Sequence, residues 1–413
     1  MKLNNETIKK YLKLVSQTEP PVLHHIWSLV AMMSANLGRR CWFEFGPMPI
    51  LPNQYILLVG DPGVRKSTAM GLAKKVIKGN QGIRLAPDDT GGQRQGLISA
   101  MMATTSEDDI SQMLEGLDGV DADIQVGSLD PEDRHTLFCY ASEFASFIGQ
   151  GSYEMVTFLT KMWDGEDHNY TLKNSKCLLE KPLLNLLGGT TPTALASSLP
   201  MEVVGQGFLS RVILVYAESA IKIPRPKALD EEGLAEIRKI FDFVSNNFRG
   251  PFKETPKASA LLDSYYLHQT KIEDTRFVYY QTRRHTHLIK LTMAMAALRG
   301  SQEIIAEDVE DAQALLSLTE EGMPSALGEF GLSPLGLARQ KLLDYINQSP
   351  DPFTANNLWS LMQRDMKLVD FTQTLKDFVA EGKISAWEDG DLIKYARNLK
   401  KQDKKNNLLE DLL

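Results

Sequence analysis

The chain has 413 residues, 43% of them hydrophobic, and a formal net charge of −8. This composition is typical of a globular protein with two or three domains, and no stretch approaches the roughly 20 continuous apolar residues that a membrane span needs. The polar residues Met1–Glu6 do not resemble a secretory signal, and three scattered cysteines exclude a disulfide framework. We therefore expect a cytoplasmic protein with no membrane partner.

The first fifty residues are predicted to form a helical N-terminal region. Residues 5–16 have amphipathic spacing, and Pro20-Pro21 begins a second helix that runs to about Leu37. A short strand at 41–45 and a proline-rich turn follow. This region leads into the segment with the clearest motif.

Residues 55–68, with the sequence YILLVGDPGVRKST, have the layout of a phosphate-binding P-loop. An apolar strand enters a glycine turn, whose backbone N–H groups can face one concavity, and Lys-Ser begins a helix. Lys66 can reach the β- and γ-phosphates, and Ser67 can ligate Mg²⁺. A purely structural turn is the alternative. The predicted ATP contacts are Gly60, Asp61, Pro62, Gly63, Val64, Arg65, Lys66, Ser67 and Thr68, with Arg65 in place of the consensus glycine.

Residues 51–225 are predicted to form an α/β nucleotide-binding core, with one sheet between two layers of helices. Apolar strands alternate with helices throughout this region. We expect a helix over residues 67–78 that ends at Gly79. The expected strands are 55–59, 82–86, 136–141, 183–188 and 211–217.

The core contains an acidic insertion at residues 106–134. It holds ten acidic residues and one arginine, a local balance of −9, so the other residues sum to +1. The insertion is either a mobile surface loop or a face that repels DNA or contacts a partner. Net charge therefore does not decide whether the chain binds nucleic acid.

Three polar sites follow the later strands of the core. Glu143 ends a strand that we expect beside the P-loop strand, where a carboxylate can polarise the attacking water; an acidic strand end without a role is the alternative. Ser142 precedes it, where a second carboxylate would support Mg²⁺ more strongly. Thr191, preferred over Thr190, can bind the water or the γ-phosphate. Arg211 either enters a neighbouring subunit's site or forms an internal salt bridge.

Beyond the core we expect three segments. Residues 226–330 are predicted to be an α-helical lid, helical throughout from 230 to about 320. Residues 335–397 have the order helix, helix, helix, hairpin, which suits a winged-helix-like module that contacts DNA or protein. Residues 398–413 are predicted to be a flexible tail, or a short docking peptide.

With these motifs in order, the chain resembles the AAA+ ATPases, specifically the minichromosome-maintenance-like helicases. It is most similar to the helicase- and primase-associated ATPases of phages and mobile elements. The segment GDPGVRKS resembles the helicase P-loop, Ser-Glu-Phe at 142–144 stands where the family has Asp-Glu-Phe, and Gly-Gly-Thr-Thr-Pro at 188–192 stands at the sensor position. Leu-Ser-Arg at 209–211 matches the arginine-finger motif, and residues 282–291 resemble the sensor-2 helix.

The resemblance implies further site residues. Arg283, with Arg284 in reserve, would contact phosphate from the lid. Residues 170–181 would form a hairpin that enters a central channel, with Lys173 and Lys176 touching DNA; a plain surface hairpin is the alternative. Ser142 for Asp weakens the expected metal support, and Thr191 for Asn alters the sensing position.

The implied function is an ATP-dependent, ring-forming DNA motor, a replicative helicase of a phage or mobile element. We expect ATP and Mg²⁺ as ligands, hexameric rings as the assembly, single-stranded DNA in the channel, and the bacterial cytoplasm as the location if a phage encodes the chain. One alternative is an ATPase that loads or remodels a replication protein. Another is an initiator that ATP assembles on DNA without hydrolysis.

Overall fold

The computed structural model describes residues 3–87, 94–102, 130–149, 152–172, 175–199, 207–218, 220–269, 271–328, 330, 334–390 and 392–398, with the backbone alone for 131, 170–172, 175–177, 334, 337 and 340. The chain divides into two compact units, Met1–Gly328 and Glu329–Leu413. Most of the acidic insertion and nearly all of the tail lie outside the described residues. Within the described ranges, no helix combines the length and the apolar character that a membrane span requires.

The first unit begins with the two expected helices, α1 (Glu6–Val15) and α2 (Val22–Leu37). Asn5 caps α1, because its side chain accepts a hydrogen bond from the Ile8 N–H. Every residue of α2 from His24 onward is buried. A helix that is buried all round has no solvent face, so α2 belongs to the interior of the unit rather than to a detachable N-terminal segment.

The core of the first unit is a parallel four-stranded sheet. Its order is β3-β6-β2-β7, and all its pairings are parallel. Every residue of β2 and β6 is buried. Because successive strand residues point to opposite faces, both faces of the sheet are covered, as expected of a parallel α/β sheet. The strands are β2 (Tyr55–Val59), β3 (Thr136–Ala141), β6 (Leu183–Thr190) and β7 (Val212–Tyr216).

Two expectations about this sheet are wrong. Strand β3, which ends before Glu143, is not the neighbour of the P-loop strand β2, because β6 lies between them. Strand order depends on long-range pairing that local sequence does not encode. The strand expected at 82–86 is reduced to a single parallel bridge between Leu85 and Phe138.

Helices and one hairpin connect the strands of the core. The hairpin consists of β4 (His168–Leu172) and β5 (Ser175–Leu179), which pair antiparallel as expected. The P-loop helix α3 is shorter than predicted, because a 3₁₀ turn replaces its last residues at Lys75–Ile77. The helices are α3 (Lys66–Lys74), α4 (Arg94–Met102), α5 (Phe144–Ile148), α6 (Tyr153–Asp164) and α7 (Pro192–Ser198).

The region after the core is mainly helical, but the prediction of helix throughout is wrong. Strands β8 (Gly250–Glu254) and β9 (Glu303–Ile304) join β1 (Cys41–Phe43) in a parallel sheet of order β1-β8-β9. These strands are short, and β8 pairs with a strand about 200 residues earlier, so no local periodicity reveals them. The helices are α8 (Glu231–Asn247), α9 (Pro256–Leu267), α10 (Val278–Leu298) and α11 (Ala306–Leu327).

The second unit contains the three expected helices and the expected hairpin. A short strand, β10, adds to the hairpin, so that the antiparallel sheet has the order β10-β12-β11. The helices enclose an apolar core that includes Leu342, Leu358 and Phe371. The elements are α12 (Pro334–Gln348), β10 (Phe353–Thr354), α13 (Ala355–Met362), α14 (Leu368–Ala380), β11 (Ile384–Asp389) and β12 (Leu392–Arg397).

Candidate functional site

The loop after β2 lies at the carboxyl edge of the sheet, where glycine is required. The Gly60 N–H donates to the Thr190 carbonyl oxygen at 3.3 Å, which ties the loop to the end of β6. A Cβ on Gly60 would collide with the carbonyl oxygen of Ala217. Gly63 has a φ of +91°, a conformation that side chains rarely adopt. These constraints fix the course of the loop into α3.

Arg65 stands where the consensus has glycine, and it adopts the glycine-like conformation. Its φ of +61° is left-handed, which costs a non-glycine residue about 1 kcal/mol. Its Nε lies 2.6 Å from Glu19 Oε2, and the other oxygen of Glu19 accepts from the Ile223 N–H. Both contacts bind the charged carboxylate, so the pKa of Glu19 lies below its usual value.

Lys66 begins α3 and turns back over the loop. Its Nζ donates to the carbonyl oxygens of Gly60 at 2.7 Å and Asp61 at 3.1 Å. Burial lowers the pKa of Lys66, and the nearby carboxylates of Glu143 and Asp61 oppose that shift. No described side chain caps the first turn of α3. Its N–H groups and the helix dipole are thus available to an anion beside the ammonium group.

The end of β3 meets the start of α3 across Gly189. A Cβ on Gly189 would lie 2.8 Å from the Ser142 carbonyl oxygen and 3.7 Å from Lys66 Cβ. The exposed Glu143 follows Ser142 at the start of α5. The structure therefore brings Lys66 and Glu143 together, although their strands are not neighbours.

Thr191 lies at this same edge, after β6. Its Oγ1 accepts from the Ala194 N–H at 3.1 Å and caps α7. A hydroxyl that accepts in this way keeps its own hydrogen for donation to a phosphate or a water. Thr190 is buried, and its hydroxyl donates to the Thr191 carbonyl oxygen at 3.3 Å. Of the two threonines, Thr191 is the more accessible.

Ser67 and Ser142 are both exposed at this edge. Their hydroxyl oxygens are hard ligands of the type that Mg²⁺ accepts. Among the described residues, no group of three or more His, Cys, Asp or Glu side chains could hold a metal ion. The residues fit a Mg²⁺ ion that takes most of its ligands from triphosphate and water.

An open cavity of about 260 Å³ adjoins the exposed face of α3. It extends from the P-loop to the segment after β7 and has apolar as well as charged walls. No local sequence pattern predicts this cavity, because its walls come from three distant segments. It is lined by Thr18, Glu19, Arg65, Thr68, Leu72, Lys75, Pro226, Lys227, Ala228 and Leu229.

Arg211 is held within its own chain. Its Nη2 lies 2.6 Å from Asp164 Oδ2, and its Nη1 donates to the Gly207 carbonyl oxygen at 2.9 Å. Only 8% of the side chain is exposed. This is the internal salt bridge that the sequence analysis gave as the alternative to a contact with a neighbouring subunit.

Arg283 reaches the same carboxylate from α10, with its Nη1 4.0 Å from Asp164 Oδ1. Both guanidinium groups face the ring of Trp163, at 5.5 Å and 5.6 Å from its centroid. Burial and the repulsion of Arg211 lower the pKa of Arg283, and Asp164 opposes this shift. Asp164 and Trp163 were not predicted as site residues; the pair Trp-Asp before a helix-ending glycine is the signal that marks them.

Arg284, predicted as the reserve phosphate contact, is paired inside the first unit. Its guanidinium is buried, with Nε 2.8 Å from Glu320 Oε1. The remaining nitrogens donate to Gln313 and Ser317. Arg284 thus connects α10 and α11 inside the first unit.

The predicted DNA contacts lie on the β4–β5 hairpin. Lys173 lies outside the described residues, and Lys176 is described by its backbone alone, in β5. The DNA contact therefore stays a prediction.

No model of a known protein family matches this chain, and no curated protein matches it.

Proposed function

We propose that this chain is an ATPase of the AAA+ class that forms rings and uses ATP hydrolysis to move along DNA. The observation that carries the proposal is the convergence of Lys66, Glu143 and Thr191 at the carboxyl edge of a parallel sheet. Ligands of open α/β sheets bind at this edge, and phosphates bind at helix N-termini.

The chemistry assigned to each residue follows from its position. Lys66 and the N–H groups of α3 neutralise charge on the phosphates. Glu143 accepts a proton from the attacking water, and Thr191 donates to the γ-phosphate or to that water. Mg²⁺ held at Ser67 and Ser142 would supply further charge neutralisation. The cavity along α3 has room for the base and ribose, with Leu72, Pro226 and Leu229 as apolar contacts.

The second unit is proposed to be a winged-helix-like module. Its three helices and three-stranded antiparallel sheet support this proposal. The hairpin of the first unit is proposed to contact the phosphate backbone through Lys173 and Lys176. Such contacts are independent of sequence and weaken with salt.

A second candidate function is a loader or remodeller of another replication protein. The exposed apolar side chains on the hairpin of the second unit favour it, since Trp387 and Leu392 share one face of the hairpin and are each about half exposed. Apolar residues grouped on a surface often mark a protein contact.

The experiment compares ATP binding and hydrolysis, with and without single-stranded DNA, for wild type, Lys66→Ala and Glu143→Gln. Lys66→Ala is expected to weaken ATP binding by about tenfold or more, because a hydrogen bond to a charged group contributes about 1.5–3 kcal/mol and each 1.4 kcal/mol is tenfold in affinity. Glu143→Gln is expected to keep binding and to lose about 10²–10⁴ in rate. Lys78→Ala and Glu44→Gln, at exposed positions, serve as matched controls.

The outcomes separate the candidate functions. Stimulation of hydrolysis by single-stranded DNA supports the motor, and stimulation by a protein partner alone supports the loader. Equal and negligible rates for wild type and Glu143→Gln, with ATP still bound, support a non-hydrolysing initiator. A wild-type chain that binds no ATP in excess Mg²⁺ refutes all three.

A further inference from the structure

Asp164 lies at a junction of three parts of the first unit. It is the last residue of α6, and Gly165 ends that helix with a left-handed φ of +71°. Only Glu166 and Asp167 separate Gly165 from the start of β4. Asp164 thus stands at the base of the hairpin while its carboxylate contacts Arg211 before β7 and Arg283 on α10.

Hydrogen bonds tie the base of the hairpin to the sheet on the side of Asp164. Arg39 Nη1 donates to the carbonyl oxygens of Gly165 and Pro182, which are the two ends of the hairpin segment. The Trp163 carbonyl oxygen accepts from Asn53 Nδ2, next to the P-loop strand. These contacts connect the hairpin, the sheet and the carboxylate, so a displacement of the hairpin base displaces Asp164.

One carboxylate, that of Asp164, pairs with two guanidinium groups, those of Arg211 and Arg283. Arg211, Arg283 and Lys290 all face Trp163 within 6 Å of its ring centroid, and Asp164 is the carboxylate that contacts the two arginines. The Arg211 Nε is buried and has no hydrogen-bond partner among the residues that the structure describes. A guanidinium group that exchanges one anionic partner for another keeps a charge-assisted hydrogen bond throughout.

We propose that Asp164 is a positioning residue that retains Arg211 in its own chain and releases it to the triphosphate bound by a second copy of this chain. The proposal rests on the proposed function, since it requires ATP at the P-loop of that second copy. Retention lowers the apparent affinity of the assembled site for ATP, and movement of the hairpin base relieves the retention.

The test uses mixed assemblies of full-length chains. Lys66→Ala chains bind ATP about tenfold or more weakly but can donate Arg211, whereas Arg211→Ala chains keep Lys66 for ATP but donate no arginine. Mixing the two is expected to restore hydrolysis at one class of site. Asp164→Asn is then placed in either chain, with Asp167→Asn as the matched control at the hairpin base.

Asp164→Asn in the Lys66→Ala chain is expected to lower the ATP concentration for half-maximal hydrolysis by about tenfold, the equivalent of one charged hydrogen bond. The same change in the Arg211→Ala chain is expected to have no effect, because that chain has no Arg211 to retain. Equal effects of Asp164→Asn in both chains overturn the proposal. It is also overturned if Asp164→Asn has no effect in either chain while the Arg211→Ala chain, measured alone, still binds ATP. If neither the Arg211→Ala chain nor wild type binds ATP, the proposed function is overturned instead. Unfolding midpoints of each variant identify any loss of folding.

Discussion

Substitution of Gly189 by alanine is expected to separate the two halves of the candidate site. The new Cβ would lie 2.8 Å from the Ser142 carbonyl oxygen, whereas ordinary contact begins at 3.4 Å. The end of β3 must therefore move by roughly 0.6 Å, because the obstructing atom is backbone and cannot rotate away. Overpacking of this kind costs about 1–3 kcal/mol of unfolding free energy.

The same displacement moves Glu143 relative to Lys66. A misplacement approaching 1 Å can cost about 10²-fold in rate, so Gly189→Ala is expected to lose most of its ATP hydrolysis. Urea denaturation measures the first effect and a phosphate-release assay the second. Binding of ATP is expected to change much less, because the loop Gly60–Ser67 is not displaced.

Gly71 provides the matched control, since it lies in α3, on the same side of the site. Among the described residues, its Cβ would meet the Tyr140 hydroxyl alone, at 3.9 Å. Alanine is favoured over glycine by about 0.5–1 kcal/mol inside a helix, so Gly71→Ala should be as stable as wild type or more so. Wild-type stability and hydrolysis in Gly189→Ala would refute the convergence of the two residues.

Two further predictions concern charge in the interior. Arg284→Ala should lower the unfolding free energy by about 3–5 kcal/mol, because it leaves the buried Glu320 carboxylate without its cationic partner. Arg283→Ala should lower the unfolding free energy by less than about 1 kcal/mol, because Arg283 is partly exposed, and should act on hydrolysis. Similar unfolding midpoints for both variants would contradict this. Acidification from pH 7 to 5 should destabilise the chain, since burial lowers the pKa values of His24, His25 and His287 to about 4, 3 and 3. The unfolded chain takes up these protons below about pH 6.5, so each histidine removes about 2 kcal/mol at pH 5, and an unchanged urea midpoint would exclude it.

The sequence predicted those helices and strands whose residue pattern lies within a short segment of the chain. The strand Tyr55–Val59 and the helix that begins at Lys66 are encoded by an apolar run, a glycine turn and the residues that follow. The helices and hairpin of the second unit are equally local. Each of these elements is present at or near its predicted bounds.

What the sequence could not provide depends on contacts between distant residues. The position of β6 between β2 and β3 and the sheet that joins Cys41 to Gly250 are both long-range pairings. The pairing of Arg211 with Asp164 is long-range as well, 47 residues apart. An arginine motif indicates the presence of a cation near the site, but it does not indicate which carboxylate holds it.

The burial of α2 has a consequence for synthesis of the chain. Within α2, the Trp27 Nε1–H donates to the Thr319 hydroxyl oxygen at 2.7 Å. In front of α1, the Asn5 N–H donates to the Asp311 carboxylate, 306 residues away. At 5–20 residues per second, the ribosome needs roughly 15–60 seconds to extend the chain from Leu37 to Asp311. Throughout that interval α2 lacks the part of its native surface that α10 and α11 provide, so apolar side chains of the nascent first unit stay exposed to aggregation and to chaperones.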